Sequence, residues 1–313
     1  MTRRLMTAGW LMAALCPLLG GCTVDQYARM ILEQNTTWGR NLQKMAGTSD
    51  QLVKAGKISW ARRFTMPDGV EIDVWGLRAQ GADAHGTVLI LHGLCDSKVT
   101  YLPMAQTLSQ KGFDVILPDF RAHGRSTGKY VTYGALESRD TQRVMAALLD
   151  EKAVAGPLYV FGASMNLGGS VAIIYAAAEP RVKGLIAVAP SRSIQATAGR
   201  FQYTKLLDDA TLDRIVRRAG KIGGFDPDDA SAIRAIPNVR CPVLLIHGKL
   251  DLFTPCSDSQ ALYDAAHQPK ELQIIPWAGH LGTVVGREAE MVKEIERVAA
   301  GKLISTSMPA EKE

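Results

Sequence analysis

The chain contains no C-x-x-C pair, no H-E-x-x-H and no G-x-G-x-x-G after a strand-like run. These absences argue against a zinc site, a thioredoxin-type redox pair, a zinc-protease helix and a dinucleotide fold. Gly56-Lys57 is followed by Ile58, and position 51 is Gln, so there is no Walker A phosphate loop. The 29 glycines have no three-residue period, which excludes collagen. No repeat of about 20–50 residues suggests a solenoid or propeller. Basic residues number 36 against 31 acidic, a net +5 with no basic block, so nothing marks a nucleic-acid partner. Nor does any apolar run reach the about 20 residues of a spanning helix. What is present is a 47% hydrophobic chain of 313 residues, enough to bury a sizeable core in one large domain or two small ones.

The N-terminus reads as an address. Arg3 and Arg4 form a positive head, and Leu5 to Leu19 is mostly apolar. Leu19-Gly20-Gly21-Cys22 then resembles the lipobox of bacterial lipoproteins. That resemblance implies a signal peptide over 1–21, cleaved before a Cys22 that carries diacylglycerol. The membrane partner is then the bacterial cell envelope. Thr23 in the next position implies the outer membrane in preference to the inner one. An ordinary cleaved export signal is the alternative. Acyl chains on Cys22 would contribute about 0.8 kcal/mol per buried CH₂. Cys16 would leave with the signal, and Cys95, Cys241 and Cys256 would remain as an odd set with at least one unpaired thiol unless chains pair.

Residues 22–57 read as a tether and N-terminal helix, with Tyr27, Ile31, Trp38 and Leu42 spaced for one apolar face. Pro67-Asp68-Gly69 marks a turn between strands at 58–65 and 70–78. Strands follow at 87–91, 113–118, 158–161, 182–188, 243–246 and 272–275, separated by helices near 98–111, 135–151, 165–178, 257–267 and 286–299. Short strands, apolar on both faces and alternating with helices, predict an α/β fold with a mostly parallel sheet covered on both sides. The rhythm breaks over about 191–238, which reads as a small helical cap inserted into a domain spanning 58–300. Residues 301–313 read as a flexible tail.

Ligands of such sheets bind at the carboxyl ends of the strands. There the chain places His92-Gly93-Leu94, Asp119 to Ser126, Gly162-Ala163-Ser164-Met165, His247-Gly248-Lys249-Leu250-Asp251 and Pro276-Trp277-Ala278-Gly279-His280. A serine, an aspartate and a histidine thus occupy three strand ends in the order Ser164, Asp251, His280. From about 58 to 300 the chain resembles an α/β-hydrolase of the monoacylglycerol-lipase-like and serine-aminopeptidase-like branch. That branch often carries D-x-R-G-H-G-x-S, and here Ala122 replaces its first glycine. The resemblance implies an eight-stranded-type sheet and a serine hydrolase without cofactor or metal. Its Ser164 sits at a nucleophile elbow. His280 would take the serine proton and return it to the leaving group, while Asp251 holds the imidazole in the right tautomer. The backbone N–H groups of Leu94 and Met165 would form the oxyanion hole, the second at a helix start where free N–H groups favour negative charge.

The other ionisable residues have simpler readings. His92 reads as a structural turn histidine and His123 as a brace for the loop after Asp119. His247 reads as packing, and His85 and His267 as solvated. Asp119 is the rival acid, but it precedes Ser164 in the chain. Cys95 reads as a small buried filler more readily than as a reactive thiol. One position departs from the elbow pattern G-x-S-x-G: Asn166 stands where the last glycine belongs, and glycines appear at Gly168 and Gly169. Either the turn accepts Asn166, or the helix begins in a shifted frame.

The expected reaction is cleavage of a small-molecule carboxylic ester through an acyl-serine. An amide or peptide bond is the variant substrate, and a non-catalytic lipoprotein that keeps the fold is the competing reading. In the cap, Arg200, Lys205, Arg214, Arg217, Arg218 and Lys221 suggest either attraction of an anion or a solvated helix face, the second being favoured. Phe201, Tyr203, Leu206 and Leu207 are candidates for a modest acyl pocket. No long apolar lid is visible, which argues against a strongly interfacial lipase.

Overall fold

The computed structural model describes residues 22–81, 84–154, 156–163 and 166–303. The signal-peptide reading of 1–21, most of the expected tail, and the proposed Ser164 and Met165 lie outside the described residues.

Eight strands form one sheet in the order β1-β2-β4-β3-β5-β6-β7-β8. They are β1 (Trp60–Thr65), β2 (Glu71–Leu77), β3 (Gly86–Leu91), β4 (Phe113–Pro118), β5 (Leu158–Ala163), β6 (Val182–Val188), β7 (Val243–Gly248) and β8 (Lys270–Ile275). β1 and β2 pair antiparallel across the Pro67-Asp68-Gly69 turn, and β2 pairs antiparallel with β4. From β4 onward every pairing is parallel. The central strands β3, β4, β5 and β7 are buried along their whole length. Their Val, Ile and Leu runs fit a sheet with both faces covered, because a one-sided sheet would alternate apolar with polar residues.

The chain contributes helices α1 (Val24–Leu32), α2 (Thr37–Ala46), α3 (Ser49–Lys54), α4 (Leu102–Gln110), α5 (Ala135–Asp150), α6 (Gly168–Ala178), α7 (Ile194–Ala198), α8 (Asp209–Gly223), α9 (Ala232–Ala235), α10 (Cys256–Ala265) and α11 (Glu288–Ala299). Two apolar clusters result, one on each face of the sheet. Leu89, Leu91, Val160 and Leu185 point into the first, and Val88, Ile90, Phe161 and Ile186 into the second. The alternation within β3 and β5 is the period-2 geometry of a strand.

The interruption after β6 holds α7, α8 and α9 and no strand. The N-terminal segment folds as three helices. Capping boxes at Thr23 with Gln26 and at Thr48 with Gln51 satisfy the first N–H groups of α1 and α3. α1 packs along α8 of the cap: Tyr27 stacks on Tyr203, and Asp25 forms a two-pronged ion pair with Arg218.

Candidate active site

β7 ends in His247-Gly248, and the loop beyond it turns at Asp251. Asp251 Oδ1 accepts the N–H groups of Phe253 and Thr254, each at 2.9 Å, so the acid organises its own loop. β8 ends at Ile275, and the loop after it returns Leu250 N–H to Ala278 O at 3.0 Å, which joins the two loops. Across that junction His280 Nδ1 lies 2.5 Å from Asp251 Oδ2. Both side chains are buried. Burial opposes ionisation of Asp251, but hydrogen bonds from His247 and His280 outweigh it and hold the carboxyl well below the usual carboxylate range. The carboxylate therefore requires Nδ1–H on His280 and leaves Nε2 as the basic atom. That Nε2 is buried and has no hydrogen-bond partner among the described residues.

Ser164 follows Ala163, the last residue of β5, and precedes Asn166. Asn166 adopts φ 60°, a left-handed conformation that asparagine tolerates better than most residues. Thr254 Oγ1 donates to Asn166 Oδ1 at 2.6 Å, so the chain two residues past Ser164 is tied to the loop of Asp251. The turn thus accepts Asn166, and the helix also starts late. α6 begins at Gly168, where a Cβ would lie 2.0 Å from Ala163 O and 2.5 Å from His92 O. The close approach of backbone to backbone that demands glycine falls at Gly168. Among the described residues no side chain caps α6, whose first N–H groups and positive dipole end lie at the carboxyl edge of the sheet.

Leu94 lies in a turn from Gly93 to Asp96, closed by Asp96 N–H to Gly93 O at 3.3 Å. His92 supports this turn from below. Its Nδ1 is 2.8 Å from Gly93 O and its Nε2 accepts Phe120 N–H at 3.0 Å, which defines the Nδ1–H tautomer. Burial drives His92 down to about 3, so it stays neutral. His123 bonds Arg121 O at 2.8 Å and is likewise lowered to about 3 by burial. Asp119 does not pair with His280. It binds the buried ammonium of Lys98, which also reaches Asp73 at 2.6 Å, and accepts the Arg125 N–H. Burial and nearby Asp96 push the Cys95 thiol up to about 11, the state of a packed, unreactive group.

Sequence reasoning assigned His247 to packing, yet it belongs to the acid's support. Its Nδ1 is 2.6 Å from Ser259 Oγ; its Nε2 is 2.8 Å from Thr254 O and 3.4 Å from Asp251 Oδ2. The available signal was an ionisable residue at the carboxyl end of a fully buried strand, four residues before the acid. Among the cap aromatics, Phe201 and Tyr203 stack at 5.3 Å, and Tyr203 Oη donates to Met30 O, which ties Tyr203 to the N-terminal helix. Arg200 is held by buried Asp258, and Arg217 and Arg218 also have acidic partners. An apolar rim does exist on the paired loops themselves. Leu250, Leu252, Phe253, Trp277, Leu281 and Val285 are exposed there, and the Phe253 ring lies 5.6 Å from that of His280. Among the described residues, no cluster of side chains could hold a metal ion.

This eight-stranded sheet, with its acid and histidine on the loops after β7 and β8, is an α/β-hydrolase fold. The family described as serine aminopeptidase, S33 matches residues 82–222, a little under half of the chain. Among curated proteins, the uncharacterized protein YqkD of Bacillus subtilis is 29% identical over 215 residues, covering 67% of this chain and 70% of that one. The lysophosphatidylserine lipase ABHD12 of Danio rerio is 26% identical over 247 residues, covering 69% and 62%. Among solved structures, the Pyrococcus furiosus esterase Pf2001 superposes with a TM-score of 0.63 at 23% identity, covering 80% of this chain and 95% of that one.

Proposed function

We propose that the protein is an exported, lipid-anchored serine hydrolase that cleaves carboxylic esters. The observation that carries this reading is the buried Asp251–His280 pair, whose remaining imidazole nitrogen has no partner among the described residues. Because Asp251 fixes the proton on Nδ1, that remaining nitrogen is the basic atom a proton relay needs. In the reaction, His280 Nε2 takes the hydroxyl proton of Ser164 as its oxygen attacks the ester carbonyl. The N–H groups of Leu94 and Met165 receive the oxyanion. The tetrahedral intermediate expels the alcohol, which takes the proton from His280. Water, deprotonated by the same nitrogen, then attacks the acyl-serine, and the proton passes from His280 to Ser164 Oγ as the acid leaves.

The apolar rim beside His280 supports an acyl-chain ester over a wholly polar substrate. The description of the matching family as a serine aminopeptidase favours amide cleavage as the second reading. A fluorophosphonate probe separates these from a binding role. Labelling of the wild type at Ser164, lost in Ser164→Ala, is expected; a folded wild type that never labels would assign the fold to binding. Hydrolysis of p-nitrophenyl esters should rise with acyl length, whereas indifference to length alongside cleavage of aminoacyl anilides would select the amide reading.

Anchoring rests on the lipobox-like Leu19-Gly20-Gly21-Cys22. No helix of the described residues is long and apolar enough to cross a membrane. In a bacterial host, Cys22→Ser should abolish acylated Cys22 by mass spectrometry and release the protein from the membrane fraction. Retention of a processed form in that fraction would refute the anchor.

A further inference from the structure

The segment ahead of the sheet touches the turn that carries Leu94. α2 lies across it, and Gly39 N–H donates to Cys95 O at 3.0 Å. The contact is backbone against backbone: a Cβ on Gly39 would stand 2.1 Å from Asp96 O and 2.5 Å from Asp96 C. Gly39 has no left-handed φ, so only this approach requires glycine there. The turn itself needs an external hold. Cys95 occupies its third position with φ 62°, where a turn of this kind favours glycine and a side chain is strained. A neighbouring loop is held in the same way. Thr36 Oγ1 and Arg40 Nη2 both donate to Ala122 O, at 2.8 and 3.0 Å, and Ala122 also has φ 62°. Further along, Arg125 Nη2 donates to Gly47 O at 3.1 Å, and Trp75 Nε1 to Ser49 Oγ at 3.0 Å. This segment lies wholly outside the 82–222 stretch that matches the hydrolase family.

We infer that α2 is a strap completing the oxyanion hole, with Gly39 as a positioning residue that holds the Leu94 N–H through Cys95 and Asp96. The inference rests on the serine-hydrolase reading above. A strained turn left to itself relaxes towards commoner dihedrals, which would swing the Leu94 peptide away from the developing charge. The strap forbids this by occupying the space into which the turn would move and by binding the Cys95 carbonyl.

The test uses the full chain with p-nitrophenyl esters and a fluorophosphonate. In Gly39→Ala the added carbon must push α2 and the turn apart. A displacement near 1 Å predicts a fall in kcat of about 100-fold, with KM changed by less than about twofold. Labelling at Ser164 should slow in parallel, and the pH profile should keep its shape, because the proton relay is untouched. Thr36→Val combined with Arg40→Met removes the two bonds to Ala122 without adding bulk near Asp96, and should lower kcat about tenfold with the same signature. This second variant decides the matter if Gly39→Ala does not fold. A lowered Tm with wild-type kcat and labelling rate in the folded variant would make the strap merely structural and overturn the inference. Absence of labelling in the wild type would instead overturn the hydrolase reading, so the two failures are distinct.

Discussion

In the proposed reaction, His247 would act only through Asp251. Its Nε2 shares hydrogen between Thr254 O and the carboxylate, and Ser259 fixes the far side of its ring. His247→Leu keeps bulk but removes these bonds, so Asp251 loses one of the two histidine partners that help hold it ionised. We expect kcat for ester hydrolysis to fall about tenfold with KM nearly constant; an unchanged kcat would return His247 to packing. Asn166 and Thr254 form a second test at this scale. Asn166→Gly keeps the left-handed backbone but loses the 2.6 Å bond, and Thr254→Val loses it from the other side. Measured as a double-mutant cycle in kcat/KM, the two changes should couple by about 1 kcal/mol. Additive losses would mean that the bond does not join elbow and acid loop.

At the scale of elements, the junction of β5 with α6 is the tightest passage in the site. Gly162, at the strand end, would place a Cβ 2.3 Å from Gly168 O, and Gly168 meets three backbone carbonyls in return. Gly168→Ala should destabilise the protein by more than about 3 kcal/mol in urea unfolding, because backbone cannot yield as a flexible side chain does. Gly282→Ala provides the contrast. Nothing lies within 4 Å of its added carbon, and stability should change by less than about 0.5 kcal/mol. Equal effects at both positions would refute the account of why position 168 requires glycine.

For the whole molecule, buried charge sets the response to acid. His92 and His123 are neutral when folded and held to about 3, whereas in the unfolded chain they protonate near an ordinary histidine pKa of about 6.5. Asp251 is likewise depressed, so the unfolded chain takes up its proton first. In all three the unfolded state binds more protons as pH falls. The contribution of the two histidines is therefore complete above about pH 6.5 and is lost progressively towards about pH 3, by up to roughly 1.4 kcal/mol per pH unit for each, while that of Asp251 begins to fall only below about pH 4. Urea midpoints should drop between about pH 7 and pH 4, and a flat profile would contradict the neutral buried rings. Lys98 tests the same interior from the basic side. Lys98→Met leaves Asp73 and Asp119 buried without their ammonium, and should cost about 3–5 kcal/mol in unfolding free energy at neutral pH.

Much of this architecture could be read from residue order, because its physics is local. Runs such as Val88-Leu89-Ile90-Leu91 and Leu244-Leu245-Ile246 can only be strands buried on both faces, and helices between them force parallel crossovers. Asp251 and His280 were legible because each lies just beyond the end of a strand, at the edge where a parallel sheet binds ligands. What required tertiary structure was every contact made between segments far apart in the chain. The partnership of Asn166 with Thr254, the grip of Tyr203 on α1, the apolar rim shared by two loops and the seating of Gly39 on Asp96 leave no periodic trace, since each joins single residues across long separations. Local pattern records the face that a residue turns to the core; the three-dimensional packing alone decides which distant group meets it there.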